Sequence, residues 1–186
     1  MKIIGFAGRI GSGKTLAASM IPDAHCLQWA DPIYRGLAAM LSIPDEVLRD
    51  RAQKERFLDV GGLDVVPRDL LRTLGTEWGR ALVHPDIWVM LTMARIDRLA
   101  DAIGADAFAV CGTRFPNEVQ AIRARGGEVW WVDRPGVAVG THSSDFQIGP
   151  DDCDDIIRNT GTVGQLRHRV LGAWAAYSGR AACRAS

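Results

Sequence analysis

Apolar residues arrive along this chain in short runs that alternate with stretches of helical period. Residues 2–7 form a brief apolar run, and residues 14–20 continue as a helix that stops near Pro22. Residues 25–29 read as a second strand. Asp31-Pro32 opens the next helix, with Asp as cap and Pro at the first helical position. Residues 42–66 are charged and broken by Gly61-Gly62, a pattern that fits a helix-containing excursion and no separate domain. From Pro67 the signal sharpens. Leu70, Leu74, Trp78 and Leu82 recur every four residues with Leu71 beside them, while Arg68, Arg72, Thr76 and Arg80 make a polar stripe. Pro85-Asp86 starts a further helix, with Trp88, Leu91, Arg95, Leu99 and Ile103 at helical spacing. Residues 107–112 look like a buried strand, and 117–125 like a helix closed by Gly126-Gly127. Residues 129–133 are strand-like, and 134–150 form a loop rich in Gly and Pro. A last strand at 155–158 precedes a helix at 163–177.

Alternating strands and helices predict an α/β domain with a mainly parallel sheet. At 186 residues with 47% hydrophobic content the chain can bury a sizeable core as a single domain. Its formal net charge is zero. A binder of nucleic-acid polymer draws its affinity from a basic excess, so the expected ligand is a small molecule and the positive charge it needs is local. Of 22 Lys and Arg residues, only Lys2, Lys14 and Lys54 are lysines. Cys26, Cys111, Cys153 and Cys183 have no metal-ligand spacing and read as reduced thiols. No run reaches the ~18–20 apolar residues of a membrane span, and no signal segment is visible. The sequence therefore predicts a cytoplasmic protein without a membrane partner.

One segment carries specific chemistry. Gly8-Arg9-Ile10-Gly11-Ser12-Gly13-Lys14-Thr15 matches G-x-x-x-x-G-K-[ST] in full, after a strand and at a helix start. Small residues let the backbone curl until its N–H groups point inward, which makes a nest for phosphate oxygens at the positive helix end. Lys14 reaches the β- and γ-phosphates in such a loop, and the Thr15 hydroxyl ligates Mg²⁺. Ligands of open α/β sheets collect at the carboxyl ends of strands. The polar residues expected there are Asp31, Thr113, Arg114, Arg134 and Asn159. Asp31 is equally a helix cap, the Arg68/Arg72/Arg80 stripe reads more readily as a solvated face than as a binding one, and residues 151–155 read as a solvated acidic turn.

With these segments placed, the chain resembles the deoxynucleoside monophosphate kinases of tailed bacteriophages and their prophages. Five stretches carry the resemblance: the phosphate loop; Trp29-Ala30-Asp31-Pro32; the run from Pro67-Arg68-Asp69 through Gly75-Thr76-Glu77-Trp78-Gly79-Arg80 to Asp86-Ile87-Trp88; Thr113-Arg114-Phe115-Pro116-Asn117-Glu118 with Arg134-Pro135-Gly136; and Asn159-Thr160-Gly161-Thr162. The resemblance implies a three-layer P-loop NTPase fold, a five-stranded parallel sheet flanked by helices. It implies a monophosphate-binding region at about 31–88 and a lid at about 134–150. It implies phosphoryl transfer from ATP, with Mg²⁺, to deoxynucleoside 5′-monophosphates. Lys14, Arg114 and Arg134 are then catalytic. Gly8, Arg9, Gly11, Ser12, Gly13, Lys14, Thr15 and Asn159, Thr160, Gly161, Thr162 hold ATP. Asp31, Arg68, Arg80, Trp88 and Arg114 serve the acceptor, and Thr15 and Asp31 the metal. A homodimer is left open, and a phage-encoded chain would work in the host cytoplasm.

Two positions depart from the family pattern. Gly112 stands where relatives often carry Asp, and Asp145 in His142-Ser143-Ser144-Asp145 where they tend to have Glu. The first removes an acid that would support Mg²⁺ through water, a task open to Asp31 and, less well placed, Asp133. The rival readings are another small P-loop kinase, such as a dephospho-coenzyme A kinase, and an ATP-binding sensor without transfer. A GTPase is disfavoured because no N-K-x-D motif occurs.

Overall fold

The computed structural model describes residues 1–50, 52–137 and 147–185. The expected lid therefore lies partly outside the described residues, as does the stretch from His142 to Asp145.

Five strands form one parallel sheet in the order β2-β5-β1-β6-β7: β1 (Lys2–Ala7), β2 (His25–Gln28), β5 (Ala107–Thr113), β6 (Glu128–Asp133) and β7 (Asp155–Arg158). The near-continuous apolar runs of β1, β5 and β6 are what burial on both faces demands. Ile4 and Phe6 pack with Trp130, Val132 and the helices α1 (Lys14–Ala18) and α7 (Val163–Ala185). On the other face Gly5 allows α6 (Pro116–Arg123) to approach, since a Cβ there would lie 2.4 Å from the Ile122 side chain. The sheet is thus flanked by helices on both sides, as the family resemblance implies.

The chain divides into two compact units: residues 1–29 with 93–186, which hold the sheet, and residues 30–92. The second unit contains α2 (Asp31–Leu41), α3 (Asp45–Arg49), β3 (Leu58–Val60), β4 (Leu63–Val65) and α4 (Pro67–Arg72). Its core joins Leu37, Ala38 and Leu48 to Leu70, Leu71 and Leu74. The helix α5 (Ile87–Ile103) spans the boundary in sequence.

Four local expectations are corrected. Gly61-Gly62 is the two-residue turn of an antiparallel hairpin, with φ of +62° and +86°. Three-residue strands are too short to show a period, which is why the hairpin is invisible in sequence.

The stripe of period four fails past Leu74. After α4 the backbone widens into a π-helix over Thr73–Val83, closed by the His84 N–H on the Gly79 carbonyl at 2.9 Å. With i→i+5 bonding each turn holds more residues, so a period of four drifts off the buried face. Trp78 and Leu82 are exposed, and Gly75 and Gly79 are buried in their place.

In α5 the buried positions are Trp88, Val89, Thr92, Met93 and Ile96, while Leu91 and Ile103 face water. The acidic run is not merely solvated. Asp154 accepts the Val129 N–H at 2.7 Å and pairs with Arg123 at 2.8 Å, tying the edge of the sheet to α6.

Candidate active site

The phosphate loop begins where β1 stops. Gly8 has φ +133°, and a Cβ there would come 2.5 Å from the Val132 carbonyl oxygen. Gly13 sits in the left-handed region with φ +98° just before α1, and its carbonyl accepts the first helical bond from Ala17 at 2.8 Å. Only glycine takes such a conformation without strain. Lys14 folds back over the loop, its Nζ donating to the Gly8 and Arg9 carbonyls at 2.7 Å each. Burial first, and then the nearby Arg114 guanidinium, against a smaller opposing effect of Cys111, bring its pKa down from 10.5 to about 8. A site that holds two cations this close favours an anion. The Thr15 side chain is exposed, and the buried Ser12 Oγ has no partner among the described residues.

Neighbouring strand ends surround this loop. At the end of β5 the pairing with β1 shifts register, and Gly112 occupies the irregularity with φ +80°. An Asp here would be strained by the backbone, which gives a local reason for the missing acid. Thr113 is buried and accepts the Trp29 Nε1–H at 3.1 Å. Arg114 follows, exposed. The buried Glu118 shapes this turn by accepting the Arg114 and Phe115 N–H groups at 2.7 and 3.2 Å. The exposed Arg134 lies just past β6, and the Val137 side chain lies by the loop, 3.6 Å from a Cβ on Gly11.

Asn159, after β7, reaches the loop directly. Its Nδ2 donates to the Ser12 carbonyl at 2.8 Å, and its backbone N–H donates to the Asp133 carbonyl at 2.6 Å. The sequence placed it toward adenine and missed this brace. Thr162 and Gln165 bond reciprocally and cap α7, at 2.9 and 3.3 Å. That T-x-x-Q capping box was readable in the sequence. Thr160 accepts from Arg169 at 3.3 Å.

The remaining candidates belong to the second unit. Asp31 is the first residue of α2, and Ala30 holds the cap position without a side-chain bond. The cap reading of Asp31 is therefore corrected. Its carboxylate pairs with Arg49 at 2.9 Å, which weakens it as a support for a metal. Arg68 is exposed and pairs with Glu55. Arg80 donates to the Pro85 carbonyl at 3.1 Å. Trp88 is 5% exposed, its Nε1–H donates to the Gly75 carbonyl at 2.6 Å, and its ring lies over Gly79. That placement supports packing, not substrate contact. A cavity of about 270 Å³ in this unit is lined by Val47, Gln53, Arg56, Phe57, Leu58 and Pro67.

The family model for deoxynucleotide monophosphate kinase matches residues 64–170, more than half of the chain. The chain belongs to that family. It is a kinase that phosphorylates deoxynucleoside monophosphates from a nucleotide donor. The match includes the Pro67-to-Trp88 and Thr113-to-Gly136 stretches, while the phosphate loop lies before it.

Among relatives, a protein of Acanthamoeba polyphaga mimivirus with the provisional name deoxynucleotide monophosphate kinase is 26% identical over 183 residues, covering 92% of this chain and 95% of its own. The deoxynucleoside-5′-monophosphate kinase of Escherichia phage T5 is 25% identical over 182 residues, covering 65% and 71%. Among solved structures, TT1252 from Thermus thermophilus superposes with a TM-score of 0.53 at 21% identity, covering 94% of this chain and 96% of that one. Dephospho-CoA kinase from Campylobacter jejuni gives 0.52 at 12% identity, covering 97% and 100%. At these identities the structures show the fold alone. The dephospho-CoA kinase reading of this chain has less support than the family to which it belongs. Among the described residues no helix is long and apolar enough to cross a membrane.

Proposed function

We propose that the chain transfers the γ-phosphoryl of ATP to a deoxynucleoside 5′-monophosphate, with the donor's phosphates in the residue 8–15 loop and the acceptor served by residues 30–92. The observation that carries the donor half is Lys14, half-buried and held over the loop by two carbonyls beside a second cation, Arg114. Donor phosphates would draw that ammonium off the carbonyls, and their charge would restore its proton affinity.

The acceptor oxygen is anionic at neutral pH, so no strong base is needed and the work lies in alignment and charge neutralisation. Lys14 and Arg114 would offset charge on the transferring group, with Arg134 as a third cation. Asn159 would keep the loop in the shape that aims its amides, and Thr160 to Thr162 lie next along the chain, where adenine contact is proposed. Arg68 and Arg80 are the proposed monophosphate contacts in the second unit.

The residues also fit Mg²⁺ in one specific way. No group of three or more His, Cys, Asp or Glu among the described residues could form a metal cage, while Thr15 offers a hydroxyl beside the loop. Mg²⁺ commonly takes few protein ligands and completes its shell with phosphates and water. Thr15 would hold it, and the ion would supply charge neutralisation. Asp31, engaged by Arg49, is set aside from that role.

The test is ATP turnover against dAMP, dGMP, dCMP and dTMP, their ribonucleotide counterparts and dephospho-coenzyme A, each with and without EDTA. Turnover with deoxynucleotides that EDTA abolishes is expected. Turnover with dephospho-coenzyme A alone, or ATP binding without transfer, would end this reading.

A further inference from the structure

Among the described residues of the second unit, Lys54 is a cation held by a neutral side chain. Lys54 is half-buried, and its ammonium donates to the Tyr34 hydroxyl at 2.5 Å and lies 4.7 Å from the centre of that ring. The Arg49 guanidinium sits 4.6 Å from the same ring, and its charge is met by Asp31 at 2.9 Å and Asp45 at 3.0 Å. The acid next to Lys54 along the chain, Glu55, is paired with Arg68. Among the described residues no carboxylate lies within ion-pair distance of Lys54. Among the described residues its polar side-chain partner is a neutral phenol, which leaves the positive charge open to an anionic ligand.

The backbone of Lys54 is also pinned. Its N–H donates to the Asp50 carbonyl at 3.1 Å, and its own carbonyl accepts the Arg68 N–H at 3.0 Å. The lysine is thereby fixed to the start of α4, beside an arginine already proposed for the monophosphate. Tyr34 lies in the first turn of α2, close in sequence to the carboxyl end of β2, where ligands of α/β sheets gather. The pair presents two donors to an incoming anion, the ammonium and the phenolic O–H, which is the complement of a phosphate monoester.

We propose that Lys54 and the Tyr34 hydroxyl form a phosphate-monoester site that binds the 5′-phosphate of the acceptor nucleotide. The proposal rests on the acceptor reading of residues 30–92 given above. It names two residues from regions whose sequence pattern gave no sign of them.

The experiment measures steady-state kinetics with a deoxynucleoside monophosphate as varied substrate, and inhibition by the matching unphosphorylated deoxynucleoside as probe. In Lys54→Ala the KM for the monophosphate should rise ~10–100-fold, as loss of a charged hydrogen bond implies, with the KM for ATP and the inhibition constant of the deoxynucleoside little changed. Lys54→Arg should recover part of the loss, because the charge is kept. Tyr34→Phe, which keeps the ring, should raise the same KM by a smaller factor. An unchanged monophosphate KM in Lys54→Ala, or an equal loss for nucleotide and nucleoside, overturns the proposal. If Lys54→Ala does not fold, Tyr34→Phe decides, and an unchanged KM there overturns it equally. A wild-type protein that phosphorylates none of the four deoxynucleotides would instead defeat the acceptor reading itself. Normal wild-type turnover with kinetically normal variants defeats only this site.

Discussion

The phosphate loop and the helical run from Pro67 to Trp88 both use glycine at close quarters, but for opposite ends. In the loop, Gly8 and Gly13 free the backbone to turn toward a ligand, at φ +133° and +98°. In the second unit, Gly75 and Gly79 clear room for side chains of the protein itself, Ile33 and the Trp88 indole. The loop keeps a half-buried cation at a cost that the proposed binding of phosphate would recover. The helical run spends its small residues on packing and leaves its arginines at the surface. One region leaves its backbone turns and a cation open to a ligand, the other is arranged around its own support.

The largest effect expected from breaking this contrast is at Lys14. Lys14→Ala should cut kcat ~10³-fold or more, because it removes a cation aimed at charge formed in the transition state. Its melting temperature should hold or rise, since the buried ammonium is a burden to the unliganded fold. A melting temperature that falls along with activity would make the lysine a structural post and erase the contrast.

Gly79→Ala is the mirror case. The new methyl would lie 2.3 Å from the Trp88 ring, and chemical denaturation should report a loss of ~1–3 kcal/mol, the usual cost of overpacking. No loss of stability would mean that the indole has room to move and does not depend on that glycine.

Asn159→Ala sharpens the first half of the comparison. Losing the bond to the Ser12 carbonyl should raise the KM for ATP several-fold, as one hydrogen bond of ~1 kcal/mol implies, while the acceptor KM stays put. Equal changes in both constants would show that Asn159 does not act through the loop.

The smallest effect is in pH. With a Lys14 pKa of about 8 in the free protein, ATP affinity should fall about twofold between pH 7 and pH 8, and more steeply above, because binding must then return a proton to the lysine. Calorimetry in buffers of different ionisation heat should show proton uptake near pH 8. The sign for stability is the reverse of a salt-bridged lysine. The folded pKa lies below the unfolded 10.5, so the unliganded protein gains stability as pH rises from about 8 toward 10.5. A flat affinity profile across that window would mean that Lys14 is not depressed.

Legibility followed the range of the interactions involved. Residues 8–15 are contiguous, and a loop between strand and helix needs only local backbone rules, so its left-handed glycines and the helix start after it could be read from eight letters. The sheet was legible because strands buried on both faces leave long apolar runs. The hairpin at Gly61-Gly62, the π-helical stretch and the true buried face of α5 were not, since each depends on what packs against it. Trp88 illustrates the difference: its place in a family-like stretch suggested a substrate contact, and its surroundings turned it inward.

The sequence alone determined the glycine-rich loop between β1 and α1, the alternation that builds the sheet and the family the chain resembles, because these are written in neighbouring residues. Tertiary structure decided which charges are answered and which are not. Asp31 met Arg49, Asn159 reached back across the chain to Ser12, and Lys54 was left with a phenol. Charge pairing and burial are properties of groups distant in sequence, and a Coulomb interaction or a desolvation cost has no value until folding sets the distance.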